Sequence, residues 1–142
     1  MKASLGKLLQ EGLVEEIGPA PGLAKQAIAS AEKDLATARA VLKIGNFDWA
    51  YAIAYNAMLQ AGRALLFRSG YRSRPEHGHV AVVRFCAERL GKKSGVLVEL
   101  FNKMRVRRHK VVYEQRETVS EGEAKRAIEN AAEMLLAVKT EL

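Results

Sequence analysis

The chain has 142 residues, 49% of them hydrophobic, which suffices for one domain with a continuous core. This composition excludes intrinsic disorder, and no apolar run approaches the roughly 20 residues of a membrane-spanning helix. The N-terminal segment carries Glu11, Glu15 and Glu16 and lacks the apolar stretch of a signal peptide. The single cysteine, Cys86, lies among apolar residues and fits a reducing compartment as a small core residue. We therefore expect a cytoplasmic protein without a membrane partner.

The formal net charge of +7 is unevenly distributed along the chain. Residues 63–116 contain 14 Lys/Arg and 4 Asp/Glu, whereas the remaining residues contain 9 and 12. A basic middle between acidic ends favours a phosphate-bearing or acidic partner, through its local field and through counterion release. The alternative is that the cations pair with the acidic terminal helices. The charge distribution alone does not separate these two interpretations.

Hydrophobic periodicity predicts two helices before residue 46. Residues 2–16 have the spacing of a short amphipathic helix, which the Gly-Pro-Ala-Pro segment at 18–21 ends. Residues 22–43 repeat the amphipathic pattern over a longer stretch. Gly45 and Asn46 end this second helix, because both tolerate the left-handed conformation that is common after a helix C-terminus.

The segment 47–69 predicts the central helix of the fold. One of its faces carries a ladder of small residues and the other carries larger apolar ones, so we expect contacts on both sides. The small residues are Ala50, Ala54, Ala57 and Ala61. Gly70 ends the helix, and residues 71–78 are interpreted as a polar, arginine-rich loop.

The second half of the chain predicts three more helices. The first covers about residues 80–90, and the second covers about residues 96–113 after a short turn. The third begins at Ser120, which forms a capping-box pair with Glu123. No segment has a convincing strand pattern. The sequence therefore predicts an all-α, up-and-down antiparallel bundle of four to five helices and no sheet. Residues 1–21 are expected to form a short N-terminal helix and linker, and residues 22–142 the bundle.

Few residues suit a metal or a cofactor. His77 and His79 are a candidate metal pair, but no further ligand stands at the required spacing, so no metal is expected. The glycine-containing segment 91–95 lacks the spacing of a phosphate-binding loop, and no nucleophile, base and acid follow the order of a hydrolase triad. We expect no cofactor.

The most informative segment is residues 103–110, which contains five cations and a histidine. On a helix Arg105, Arg108 and His109 lie close to one face, and Tyr113 lies one turn beyond His109. These groups form a candidate site for a nucleotide or RNA phosphate, to which Arg63 and His79 would contribute from neighbouring helices. Part of the cluster has a simpler interpretation, because cations in the last turn of a helix are favoured by its dipole.

Several short motifs, taken in order, resemble the HEPN domain, a family of small all-α prokaryotic proteins often paired with a nucleotidyltransferase. The motifs are AEKDL at 31–35, GNFDWA at 45–50, GRALL at 62–66, Gly70, His79 at the head of the third bundle helix, RHKVVYE at 108–114 and SEGEA at 120–124. The resemblance covers about residues 22–142. Each motif is weak alone, and their order and spacing carry the similarity.

The resemblance implies a specific test for ribonuclease activity. Ribonucleolytic members carry an arginine, usually followed by a polar residue, and then a histidine four to six positions further on. Arg108 and His109 match the first half, but Tyr113 stands where the histidine is expected. A phenol with a pKa near 10 is a poor general base at neutral pH. This departure favours a non-catalytic module over an enzyme.

Three functions are therefore considered. The first is a non-catalytic HEPN-like module that binds nucleotide or RNA phosphate, or a nucleotidyltransferase partner, as in a toxin–antitoxin pair. The second is an atypical metal-independent ribonuclease that uses Arg108 with His109 or Tyr113. The third is a purely structural helical subunit. The resemblance also implies a homodimer whose basic segments meet near the symmetry axis.

Overall fold

The computed structural model describes residues 2–114 and 116–142, without the side chains of residues 2–4, 77 and 93. Its elements are α1 (Lys2–Gln10), β1 (Val14–Glu16), α2 (Pro21–Lys43), α3 (Phe47–Arg68), β2 (Tyr71–Ser73), a 3-10 turn (Pro75–His77), α4 (Gly78–Tyr113) and α5 (Glu121–Glu141). The predicted all-α bundle is confirmed.

Helix α3 lies at the centre of the bundle, as the sequence predicts. It packs against α2, α4 and α5, and its ladder of alanines is buried. Small side chains let the neighbouring helix axes approach closely, which explains how one helix can be covered from three directions. Leu8 of α1 and Val14 of β1 belong to the same hydrophobic core, so the N-terminal segment packs onto the bundle.

Two predicted helix starts have capping hydrogen bonds, of which the sequence predicts the one at Ser120. The side chain of Asn46 accepts a hydrogen bond from the backbone N–H of Trp49 at 3.3 Å, and α3 begins at the next residue. The hydroxyl of Ser120 accepts one from the N–H of Glu123 at 3.1 Å at the start of α5. Each cap satisfies a backbone donor that has no partner within the helix.

Helix α4 consists of two helical arms that meet at a kink. Ser94 has φ −138° and ψ 41°, values outside the helical region. The break divides α4 into an N-terminal arm, residues 78–93, and a C-terminal arm, residues 95–113. The sequence predicts this division, because the polar, glycine-flanked segment 91–95 separates two apolar patterns.

The prediction that the chain has no strands was wrong. Strands β1 and β2 pair antiparallel, with Val14 opposite Ser73 and Glu15 opposite Arg72. The predicted helix over residues 2–16 ends at Gln10, and the predicted loop at 71–78 begins with a strand. Strands of three residues are too short to show alternation, and their pairing depends on contacts between distant parts of the chain. Burial of Val14 and the ion pair between Glu15 and Arg72 stabilise this pairing.

Among the described residues, no helix combines the length and apolar character needed to cross a bilayer.

Helix α3 approaches the N-terminal arm of α4 closely at Gly62. A Cβ atom added there would lie 2.4 Å from Cγ1 of Val82 and 3.0 Å from Sγ of Cys86, both on the N-terminal arm of α4. We predict that Gly62→Ala lowers the free energy of unfolding by about 1–3 kcal/mol, because the arm must shift to make room. Denaturant titration measures the loss.

Gly91→Ala is the matched control. Gly91 is also helical, and an added Cβ there has no atom within 4 Å. Replacing an unconstrained helical glycine by alanine removes backbone freedom from the unfolded chain, so this variant is expected to gain up to about 1 kcal/mol. Equal stability of the two variants would contradict the close contact between α3 and α4.

Candidate anion-binding site

A tyrosine–histidine pair forms the centre of the candidate site. The hydroxyl of Tyr55 on α3 lies 3.0 Å from Nδ1 of His79 at the start of α4. Tyr55 is 1% exposed, and the ring of Phe101 packs against it with centroids 5.8 Å apart. The position of the imidazole is therefore fixed by a buried residue of the central helix.

Three arginines act on this pair. Arg63 of α3 and Arg105 and Arg108 of the C-terminal arm of α4 all interact electrostatically with both Tyr55 and His79. We call these three residues the arginine cluster. All three are half-buried, so solvent screens them less than it screens fully exposed cations. The structure therefore brings together four residues that the sequence analysis proposed from three separate segments.

The imidazole of His79 is neutral at pH 7. Burial lowers its pKa below the ordinary value of 6.5, and the positive charges of Arg108, Arg63 and Arg105 lower it further. Burial raises the pKa of Tyr55 to about 12, so the phenol keeps its proton. The geometry allows either direction for the hydrogen bond between Tyr55 and His79, but a phenol O–H is a stronger donor than an imidazole N–H, which favours Nδ1 as the acceptor. We infer that the proton of the neutral imidazole is on Nε2.

This tautomer decides what His79 can do. With Nε2–H available as a donor, the imidazole adds a hydrogen bond to those that the arginines can donate to an anion. A general base would need an unprotonated Nε2, which the bond from Tyr55 opposes. The arrangement suits anion binding better than proton abstraction.

Arg107 belongs to a different part of the structure. Its Nε and one terminal nitrogen donate to the two carboxylate oxygens of Glu123 at 2.8 and 3.2 Å, and it also donates to the carbonyl of Thr118. The pair lowers the pKa of Glu123 and holds α4 to the start of α5. Of the three neighbouring arginines, this one is therefore structural.

His109 and Tyr113 lie on the exposed side of the C-terminal arm. Their rings pack against each other with centroids 5.0 Å apart, and Tyr113 is 67% exposed. Successive helical residues are rotated by about 100°, so His109 follows Arg105 by one turn but points about 40° further towards solvent. The structure thus places these two predicted site residues at the rim, beside the Tyr55–His79 pair rather than in it.

A cleft of about 680 Å³ adjoins the cluster, and Arg63 and His79 line it. The cleft lies between α2, α3, β2 and the start of α4. Arg63 and His79 therefore connect the arginine cluster to a concave surface large enough for a small ligand.

Neither a metal nor a reactive thiol is indicated in the described part of the chain. No group of three His, Cys, Asp or Glu residues there could hold a metal ion, and the side chain of His77 lies outside the described residues. Cys86 is fully buried, and burial raises the pKa of its thiol to about 12. A thiol that stays protonated and inaccessible acts as a core residue.

Sequence reasoning missed Tyr55 as a site residue. Its place on an apolar face of α3 favoured a packing role, and it does pack against Phe101. Its role could have been predicted from its chemistry, because a buried tyrosine hydroxyl requires a hydrogen-bond partner and a histidine is a suitable one.

The fold and the site define an all-α bundle with a basic cluster on two of its central helices. The family model of the HEPN domain matches residues 24–141, which is most of the chain. The protein therefore belongs to the HEPN domain family. Comparison with curated proteins finds no match.

We predict that Tyr55→Phe raises the pKa of His79. The hydroxyl donates to the neutral imidazole and stabilises it, so its removal favours the protonated form. NMR titration of the histidine ring protons measures this shift, and the resonances of exposed His109 serve as an internal reference. A lower pKa in the variant would mean that Nδ1 carries the proton, and would contradict the assigned tautomer.

Proposed function

We propose that this HEPN-domain protein binds the phosphate of RNA or of a nucleotide at the arginine cluster, without cleaving it. The observation that carries the proposal is that Arg63, Arg105 and Arg108, from two helices, all interact electrostatically with the hydrogen-bonded pair of Tyr55 and His79. Several guanidinium groups whose positive charges act at one place suit a phosphate group.

The energetics of the cluster support the same conclusion. Three half-buried cations act on the same tyrosine–histidine pair, so the positive charge there is in excess. Arg105 uses its Nε to bind Asn102 at 3.2 Å, which leaves its terminal nitrogens as donors for a ligand. An anion placed beside this pair would be attracted by all three side chains.

The ribonuclease alternative has weaker support. It requires His109 or Tyr113 to activate a ribose 2′-hydroxyl while Arg108 stabilises the charge on phosphorus. Both candidate bases lie at the exposed rim, where their rings pack against each other. His79, which is better placed, has Nδ1 as the acceptor of the Tyr55 hydroxyl and presents a donor to the ligand.

We predict that Arg108→Ala weakens binding of a single-stranded oligoribonucleotide roughly tenfold or more at low salt, because a charge-assisted hydrogen bond is lost. Each phosphate neutralised on a single strand contributes about −0.7 to the slope of log K against log salt, so the variant should also lose about 0.7 of that slope. Fluorescence anisotropy across a salt series measures both quantities.

Arg39→Ala is the matched control for charge, since Arg39 is exposed on α2 and the substitution removes the same unit of charge. It should change affinity less than twofold. Unchanged binding in Arg108→Ala would overturn the proposed site. Cleavage of RNA by the wild-type protein in excess chelator, lost in Arg108→Ala, would overturn the non-catalytic part of the proposal.

We also expect a two-fold homodimer, with an interface that does not involve α3. The apolar faces of α3 are covered within the chain by α2, α4 and α5. The exposed apolar side chains Val96, Val106 and Tyr113 instead lie on the C-terminal arm of α4, next to the basic segment. Pairing through this arm would bring two arginine clusters near one axis and double the anion-binding surface.

Light scattering at micromolar concentration should therefore give the mass of a dimer. Val106→Glu should reduce it to that of a monomer, because a charge would be buried in the interface. Leu136→Glu, which adds the same charge at an exposed apolar position of α5, should leave the dimer intact. A monomeric wild-type protein would refute the expectation.

A further inference from the structure

A second, smaller pocket lies where the C-terminal arm of α4 meets α3 and α5. It has a volume of about 170 Å³, and none of the residues that line it lines the cleft beside the arginine cluster. Lys103 lines this pocket, and on a helix it is rotated by about 200° from Arg105 of the cluster. The pocket is therefore on another flank of the same arm and is a separate surface.

The hydroxyl of Tyr51 is the unexplained polar group of this pocket. Tyr51 lines the pocket and is 5% exposed, and no hydrogen bond joins its hydroxyl to another residue in the described part of the chain. Every fully buried side-chain nitrogen or oxygen in that part has a partner, so this hydroxyl reaches the pocket and is not sealed in the core. Burial raises the pKa of Tyr51 to about 12, so the hydroxyl keeps its proton and can donate it to a ligand.

Positive charge is in excess around the pocket. Arg107 donates to both carboxylate oxygens of Glu123, so these two charges largely cancel. Lys103 and Arg126 at the exposed rim add two positive charges, and neither forms an ion pair with another described residue. Arg126 also acts on Glu123 electrostatically, but Arg107 already occupies that carboxylate. An anion that enters the pocket is therefore attracted to it.

The size and the floor of the pocket limit the ligand. The floor is formed by the apolar side chains of Leu100, Met104 and Ala127. An engineered apolar cavity of about 150 Å³ accommodates benzene, whereas larger ligands occupy sites of about 300 Å³ or more. A nucleotide is too large for this pocket, and an inorganic phosphate would leave its apolar floor uncovered. A group about as large as one amino-acid side chain fits.

We propose that this pocket binds a carboxylate that carries a short apolar body. The carboxylate accepts a hydrogen bond from the Tyr51 hydroxyl and is attracted by Lys103 and Arg126, while the body packs on the apolar floor. The side-chain amide of Asn130 offers a further donor. The ligand is either a small organic acid or the C-terminal residue of a polypeptide, and the two share this chemistry. The proposal does not depend on the arginine cluster.

NMR titration with 3-methylbutanoate tests the site directly. The anion should shift the signals of the Asn130 side-chain amide and the Ala127 methyl group, and leave the ring signals of His79 unchanged. Acetate, which lacks the apolar body, should bind about tenfold more weakly, because the floor stays uncovered. The neutral amide 3-methylbutanamide should also bind about tenfold more weakly, because it brings no charge.

Two variants separate the contributions of the hydroxyl and the rim. Tyr51→Phe keeps the ring and should weaken binding of 3-methylbutanoate about tenfold, because a hydrogen bond to a charged group is lost. Arg126→Gln should weaken it about threefold, as expected for an exposed cation. Lys125→Gln is the matched control, since Lys125 is exposed on α5 and lies outside the pocket. It removes the same charge and should leave binding unchanged.

The source of the carboxylate is assigned by a tripeptide that ends in leucine. If its free acid binds more tightly than 3-methylbutanoate, and its C-terminal amide does not bind, the ligand is the end of a polypeptide. If 3-methylbutanoate binds more tightly, the ligand is a small acid. Equal affinity of Tyr51→Phe and wild type would overturn the site, as would shifts at His79 with none at Asn130. Either failure would leave the proposed phosphate site intact, because that site is tested by Arg108→Ala.

Discussion

The break of α4 at Ser94 is the constraint on which the candidate site depends. In a straight helix that rises 1.5 Å per residue, His79 and Arg105 would be separated by about 39 Å. Because the helix turns at Ser94, both of its arms pack on α3. His79 of the first arm and Phe101 of the second both contact Tyr55. An added Cβ at Gly62 would likewise meet side chains from both arms. The site is therefore assembled by the same packing that forms the core.

The cations of the basic segment have different roles, because they interact with different charged and polar groups. Arg107 forms a two-pronged ion pair with Glu123 and contributes to the attachment of α5. Arg105 and Arg108, on the flank of the helix that faces Tyr55, act on an imidazole that has no charge of its own at pH 7. His109 and Tyr113 continue around the helix towards solvent. A run of cations that looks uniform in sequence thus contains one structural arginine, two that face the site, and an aromatic rim.

The sequence allowed the helices to be predicted because their signals are local. Asn46 and Ser120 cap helices through their immediate neighbours, and the alanine ladder of α3 reports close packing over a few turns. The site was predicted only in part, because its assembly depends on contacts between distant segments. Nothing near Arg107 in sequence distinguishes it from Arg108, since its partner Glu123 is 16 residues away. The pairing of β1 with β2 and the bond between Tyr55 and His79 are equally non-local.

The small sheet brings residues from before the matched family region into the wall of the cleft. Strand β1 lies before the region that matches the family model, yet Ile17, which directly follows it, forms part of the cleft wall. The N–H of Ile17 donates to the carbonyl of Gly70 at 2.8 Å, and the backbone of Gly18 approaches Gly70 so closely that an added Cβ would lie 3.2 Å away. A shortened chain that starts at residue 24 would keep most of α2, all of α3 to α5, and the arginine cluster. It would lose part of the cleft wall and the partner of Arg72, so the boundary of the matched region is not the boundary of the candidate site.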